Sequence, residues 1–223
     1  ESLYVEQLLR LPSVAWVYGA PEESPEPGGM PCLAGEPFTF GCLNNPAKIS
    51  AAAVESWSGI LRTCPGSRLL LLVRDDPAHE GLLLAKFERH GIDAGQLVFA
   101  VKGPERDYLE WYNRIDLMLD PFPYNGGVTT GDCLWMGTLI LALEGDSYVS
   151  RQGVSLLTSV GLPELIAADR EALVANAVGW YEAPERLAKL GGDLRGRLRR
   201  SPLMDHAGYA RELTEALEGL VTA

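Results

Sequence analysis

From Phe38 onward, short apolar runs that read as strands alternate with segments that read as helices. The strand-like runs are Thr39–Cys42, Arg68–Val73, Gln96–Val101, Leu117–Asp120 and Thr138–Leu143. Helical patterns fill the intervals at Ser50–Cys64, Pro77–His90, Pro104–Asn113, Thr130–Met136 and Arg151–Val160. Their punctuation is local: Ser50 suits an N-cap, Pro65-Gly66 a stop, Gly91 a residue just past a helix end, and Pro104 a first turn. Arg68–Val73 shows no polar alternation, so it reads as a strand buried on both faces. Strict alternation predicts an α/β fold, a parallel sheet joined by right-handed crossovers with helices on both faces. Three more helices are expected at Arg170–Trp180, Pro184–Leu198 and Asp205–Leu220, packed on the outside. In such a sheet, ligands bind beyond the carboxyl ends of the strands, at a topological switch point.

One loop stands out in that position. Pro121–Thr130, PFPYNGGVTT, leaves the apolar run ending at Asp120 and leads into Asp132-Cys-Leu-Trp-Met136. A strand, a glycine-bearing loop and a threonine pair opening a helix is an arrangement that binds phosphate, because free N–H groups and the positive dipole end face the anion. Gly126 and Gly127 let backbone approach a ligand closely, and Thr129 and Thr130 add hydroxyls. The competing reading is an ordinary helix cap, since Thr129 to Asp132 has nearly the spacing of a capping box.

Composition narrows the classes. Apolar residues make up 47% and charged residues 22%, enough for a packed core. A net charge of −11 argues against a nucleic-acid backbone as partner. No run approaches the roughly 18 apolar residues of a membrane span, and no signal-peptide pattern is present. Cys32, Cys42, Cys64 and Cys133 form no C-x-x-C and have no histidine at ligand spacing, so zinc is not expected. Reduced thiols in a cytoplasmic protein fit them instead. Residues 1–37 are rich in Pro, Gly and Glu and read as an interdomain linker that wraps a surface, with a short helical piece at Tyr4–Leu11 docking on a partner domain. Residues 38–223 form the expected α/β domain with its C-terminal helices. The chain opens mid-pattern without an initiator Met, which suggests a piece of a longer protein. The dinucleotide fingerprint, the P-loop and the G-x-S-x-G elbow are all missing.

Several strings, taken in order, resemble one family. They are Phe40-Gly-Cys-Leu-Asn-Asn-Pro-Ala-Lys-Ile-Ser50, Leu119-Asp-Pro-Phe-Pro-Tyr-Asn-Gly-Gly-Val-Thr-Thr-Gly-Asp132 and Leu134-Trp-Met-Gly137. Gly145–Arg151, Gly161–Ile166 and Ser201–Asp205 continue the match downstream. Together, over roughly Leu8 to Leu217, the chain is similar to the catalytic region of the O-GlcNAc transferase and SPINDLY-type glycosyltransferases, including bacterial members fused to tetratricopeptide repeats. The resemblance implies a GT-B fold of two Rossmann-like halves. This chain corresponds to the C-terminal, donor-binding half; the N-terminal catalytic half and the repeats would lie upstream.

The resemblance also implies roles. Lys48 would contact the donor diphosphate and stabilise the charge that grows as the glycosidic bond breaks; its plainer reading is a solvated loop lysine. Asn45 would lie near the phosphate, although it or Asn44 also suits a turn. Thr129 and Thr130 would bind the diphosphate, with Gly126 and Gly127 shaping the loop. A family histidine often near Gly127 and a threonine at Val128 are absent here. Asp132 would accept the ribose hydroxyls, or serve as a capping carboxylate. Tyr108 falls where many relatives carry a histidine stacked on uracil, and its aromatic ring keeps stacking available; otherwise it packs in the core. Val101 and Lys102 would present backbone to the base edge. Arg151 would serve the diphosphate or, the favoured reading, hold its loop by an ion pair with Asp146; Trp57, Trp111 and Trp135 read as core. None of His79, His90 and His206 sits in a motif suited to a catalytic base.

The implied function is UDP-GlcNAc binding in an inverting protein O-glycosyltransferase that modifies Ser or Thr, without metal or other cofactor. The alternatives are a non-catalytic nucleotide-sugar-binding module and a related enzyme using UDP-Glc or GDP-Fuc.

Overall fold

A computed structural model describes residue 5, residues 7–73 and residues 76–221. Strands β1 (Thr39–Cys42), β2 (Arg68–Val73), β3 (Leu97–Val101), β4 (Leu117–Leu119), β5 (Leu139–Leu143) and β6 (Ile166–Ala167) form one sheet in the order β3-β2-β1-β4-β5-β6. Every pairing is parallel. The first three strands build outward from β1 in one direction and the last three in the other. The β1–β4 seam, with Phe40 opposite Leu117 and Gly41 opposite Met118, is therefore the switch point at which such sheets place their ligands.

Helices α1 (Ala51–Thr63), α2 (Pro77–Glu88), α3 (Glu105–Glu110), α4 (Val128–Trp135) and α5 (Gln152–Ser159) make the crossovers. Helices α6 (Arg170–Tyr181), α7 (Pro184–Gly191), α8 (Leu194–Arg199) and α9 (His206–Val221) close the fold. The leucines of β2 are buried, as the unbroken apolar run implied. Trp57 on α1 is fully enclosed and Trp135 is buried, whereas Trp111 is half-buried and stacks against Arg114.

Local chemistry explains most boundaries, and also the departures. Gly91 takes a positive φ of 77° just after α2, as a helix-ending glycine should. The single helix expected over Pro184–Leu198 is two, α7 and α8, parted at Gly192-Asp193 after the terminal Gly191; consecutive glycines weaken helix continuity. The helix after β3 turns into a 3-10 segment at Trp111–Arg114. Strand β6 is two residues long, too short for a periodic signal. Of the helical piece expected at Tyr4–Leu11, Tyr4 and Glu6 lie outside the described residues, and 7–11 carry no helix.

The Pro-rich stretch before β1 lies across this domain. Val14 and Tyr18 are buried in its core, and the Tyr18 amide donates to the Leu203 carbonyl at 2.7 Å. Gly28 N–H donates to Asn113 Oδ1 at 2.7 Å, Cys32 N–H to Asp116 Oδ1 at 3.0 Å, and the Trp135 indole to Ser24 Oγ at 2.9 Å.

Ser50 has two tasks. Its Oγ accepts the Ala53 amide at 3.1 Å, capping α1, and donates to the Phe122 carbonyl at 2.6 Å, tying α1 to the loop after β4. Ser50→Ala should cost about 1–2 kcal/mol in chemical denaturation; an unchanged midpoint would show that neither bond matters.

Candidate nucleotide-sugar site at the β1–β4 switch point

Two loops leave the carboxyl ends of neighbouring strands and meet. After β1, Asn45 begins a 3-10 turn over Pro46–Lys48, and its Oδ1 accepts the Ala47 amide at 3.0 Å. That turn swings Lys48 across the seam. Its ammonium donates to the Asn125 carbonyl at 2.8 Å and lies 4.1 Å from the centre of the Tyr124 ring. Partial burial lowers the Lys48 pKa, while the nearby Asp120 charge pulls it back up. Lys48 thus stands at the loop to which sequence assigned phosphate binding, although the two segments are far apart in the chain.

The loop after β4 is held from within. Fully buried Asp120 accepts the Gly126 amide at 2.8 Å through Oδ1. Asn125 donates its side-chain amide to the Pro121 carbonyl at 3.0 Å, and its backbone amide to the Val149 carbonyl at 2.9 Å. Helix α4 starts at Val128, two residues earlier than expected, with Gly127 as N-cap and no side-chain cap. The amides of Thr130 and Gly131 turn back to the Gly127 carbonyl, both at 3.0 Å. Those of Gly127, Val128 and Thr129 have no partner among the described residues, leaving the helix's positive end open.

This start corrects one expectation. Asp132 lies in the second turn of α4, so it is not part of a capping box. Its Oδ1 instead accepts the Tyr18 hydroxyl at 2.8 Å. Burial pushes the Asp132 carboxyl up to about 6; the Tyr18 bond opposes that and Glu105 adds to it. Thr129 is half-buried and Thr130 fully buried beneath the helix start, while Val128 is exposed.

Gly126 is enforced by its neighbours. A Cβ there would lie 2.4 Å from Thr130 Oγ1 and 3.0 Å from Asn44 Nδ2. Thr130 Oγ1 and both polar atoms of the Asn44 side chain are buried without partners, as is Asp120 Oδ2. Buried polar atoms without partners are costly, so four of them at one switch point mark a place organised for something besides stability.

Tyr108 is half-buried on α3. Its hydroxyl is 2.8 Å from that of Tyr112, and the rings meet edge to face at 5.6 Å. Tyr112 in turn donates to the Thr129 carbonyl at 3.1 Å, linking Tyr108 to the start of α4. Val101 is exposed at the end of β3, and Lys102 follows it. Arg151 is structural as expected, but its partner is Glu144 rather than Asp146; it also donates to the Gly145 carbonyl at 3.3 Å.

Sequence reasoning gave Asp120 and Tyr18 no role in the site, and Asn44 only that of a possible turn residue. Asp120 left a usable signal, an acid closing an apolar strand. Tyr18 left none, since its partner is 114 residues away. Burial raises the Asp120 pKa to about 7, with the Gly126 amide and Lys48 pulling it down. Folded Asp120 therefore keeps a proton across a window in which an unfolded aspartate, near 3.8, has lost it. Stability falls as pH rises through that window, from about 4 to 7. Asp120→Asn should flatten this part of the melting-temperature profile between pH 5 and 7.5; an unaltered slope would contradict the assignment.

No group of three or more His, Cys, Asp or Glu side chains suited to a metal occurs among the described residues. All four cysteines are unpaired. No described helix is long and apolar enough to cross a membrane.

Comparison with known proteins bears on the family and the fold. A tomato (Solanum lycopersicum) protein, named probable UDP-N-acetylglucosamine–peptide N-acetylglucosaminyltransferase SPINDLY, is 32% identical over 94% of this chain, which spans 23% of that protein. The Caenorhabditis elegans UDP-N-acetylglucosamine–peptide N-acetylglucosaminyltransferase is 28% identical over 83% of the chain, which spans 16% of it. Among solved structures, a Thermobaculum terrenum O-GlcNAc transferase mutant superposes with a TM-score of 0.88 at 32% identity, over 97% of this chain and 41% of the other. Anabaena HepE, solved with UDP and glucose, shares the fold at a TM-score of 0.56 and 12% identity, over 85% of this chain and 50% of the other. The sheet is thus that of a GT-B C-terminal half. The profile of glycosyl transferase family 41 matches residues 32–213, so the chain belongs to that family.

Proposed function

We propose that this chain is the donor-binding half of an inverting protein O-glycosyltransferase, holding UDP-GlcNAc for transfer to a Ser or Thr hydroxyl. The observation that carries this reading is the convergence of the Lys48 ammonium and the open amides of α4 on one turn at the β1–β4 seam. Such a site suits a diphosphate: the amides and helix dipole receive its oxygens, and the ammonium counters the charge that develops on the leaving nucleoside diphosphate. With those groups in place the leaving group is stabilised without a metal ion. Asp132, set back from the helix start, suits the ribose diol, and Tyr108 the base. His79, on α2, His90, just after it, and His206, opening α9, stand on elements other than the two loops; the acceptor's proton then leaves through a group outside this chain. The upstream half, with its tetratricopeptide repeats, would complete the cleft and receive the protein acceptor. Four unpaired thiols suit the reducing cytoplasm.

Nucleotide binding measured by calorimetry tests the reading. Because the Asp132 carboxyl titrates near 6, its ionised form, the better acceptor for two hydroxyls, grows as pH rises from 5 to 7. UDP affinity should rise with it. Asp132→Asn should make that rise smaller, and 2′,3′-dideoxy-UDP should show the same smaller rise in the unaltered chain, because the terminal phosphate ionises in the same range. An identical pH response for UDP and the dideoxy analogue would reject the ribose role.

A further inference from the structure

Gly127 caps α4 without a side chain, yet the space its side chain would fill is taken. A Cβ built there would lie 2.7 Å from Gln152 Oε1 and 3.7 Å from Trp16 Cζ2. Gln152 is the first residue of α5, reached through the loop after β5, and it is half-buried. Its carboxamide makes no hydrogen bond to the described residues. A neutral amide with two unused donors thus lies beside Gly127, whose N–H is one of the three left unpartnered at the start of α4. The buried Thr130 hydroxyl and Asn44 amide, both against Gly126, are likewise without partners at this turn, an independent sign that stability alone does not account for it.

We propose that Gln152 is a specificity residue of the donor site, its carboxamide supplying from α5 the side-chain contact that Gly127 lacks and donating to the sugar-linked phosphate of the nucleotide sugar. The inference rests on the donor-site reading above. A rotation of the terminal amide turns Nε2 toward the phosphate, where a hydrogen bond to an anionic oxygen is charge-assisted. Trp16, from the segment preceding β1, stands next to the same position and limits where the carboxamide swings. Position 127 must then stay glycine, because any Cβ would displace the amide.

UDP, UMP and uridine titrated calorimetrically into the unaltered chain, Gln152→Ala, Gln152→Glu and Lys48→Ala provide the test, with thermal unfolding confirming that each variant is folded. Gln152→Ala should bind UDP several-fold more weakly. Gln152→Glu, nearly isosteric but anionic, should bind it about ten- to a hundredfold more weakly. UMP and uridine should change by less than about twofold in both, since they lack the terminal phosphate. If Lys48→Ala weakens UDP binding and Gln152→Glu does not, the Gln152 contact is wrong while the donor site stands. Equal losses for UMP and UDP would also overturn the assignment to the terminal phosphate. If the unaltered chain binds no UDP, the donor-site reading fails and this inference fails with it.

Discussion

Lys48→Ala is expected to weaken UDP binding to this chain and, in the complete enzyme, to lower the transfer rate by about 10²–10³-fold, the usual loss when one preorganised charge stabiliser is removed. Three features set that size. The ammonium is fixed rather than swinging, by its 2.8 Å bond to the Asn125 carbonyl and its seat on the Tyr124 ring. Partial burial raises the strength of its field at the turn. The charge it faces is greatest when the sugar–phosphate bond has broken, so the loss should appear in kcat more than in KM. The substitution should leave the fold intact, because Lys48 lies in a loop at the strand ends. Lys48→Arg keeps the charge but not the compact geometry, and should recover only part of the activity. Steady-state kinetics with labelled UDP-GlcNAc would measure this. A variant within threefold of the unaltered enzyme in kcat would remove Lys48 from the mechanism.

Gly41→Ala should cost about 3 kcal/mol, lowering the melting temperature by roughly 6–12 °C. The cause is a close approach in the middle of the sheet. An added Cβ would come within 2.4–2.9 Å of three Ile115 side-chain atoms. Both residues are buried, on β1 and just before β4, so the neighbours have little room to give. Gly41 pairs with Met118 across the seam that brings the Lys48 and Gly126 loops together. Strain there should therefore also loosen the site, and nucleotide affinity should fall along with stability. Thermal unfolding by circular dichroism decides it: a shift under about 2 °C would mean the core gives way more easily than its packing implies.

The readable part of this fold was the part encoded by neighbours in sequence. The β2 leucines, the Ser50 cap and Gly91 each carry a local physical signature, and the structure has them as expected. Boundaries shifted where tertiary contacts decide them. Helix α4 starts at Val128 because Asp120, from the strand before, fixes the Gly126 amide and sets the turn earlier than the threonines alone suggested. The break between α7 and α8 was visible as two adjacent glycines, but the apolar periodicity on either side masked it.

For the site, sequence offered the loop and Lys48 separately, linked only through family resemblance. Their meeting is a product of strand order, which places β4 beside β1 rather than beside β3. The same order explains the residues that reading missed. Asp120 matters because it is buried, Tyr18 because an early segment crosses the finished domain to reach Asp132, and Asn44 because the β1–β4 seam closes over it. None of these is a property of a short window. Asn45, by contrast, serves the turn that its residue type suggested, and so aims Lys48.

A crystal structure of this chain soaked with UDP would show where the diphosphate lies. The terminal phosphate is expected at the start of α4, with oxygens about 3 Å from the Val128 and Thr129 amides and from Lys48 Nζ, and the ribose beside Asp132. A diphosphate bound away from the β1–β4 seam, or Lys48 turned from it in the occupied site, would mean that this turn does not hold the donor.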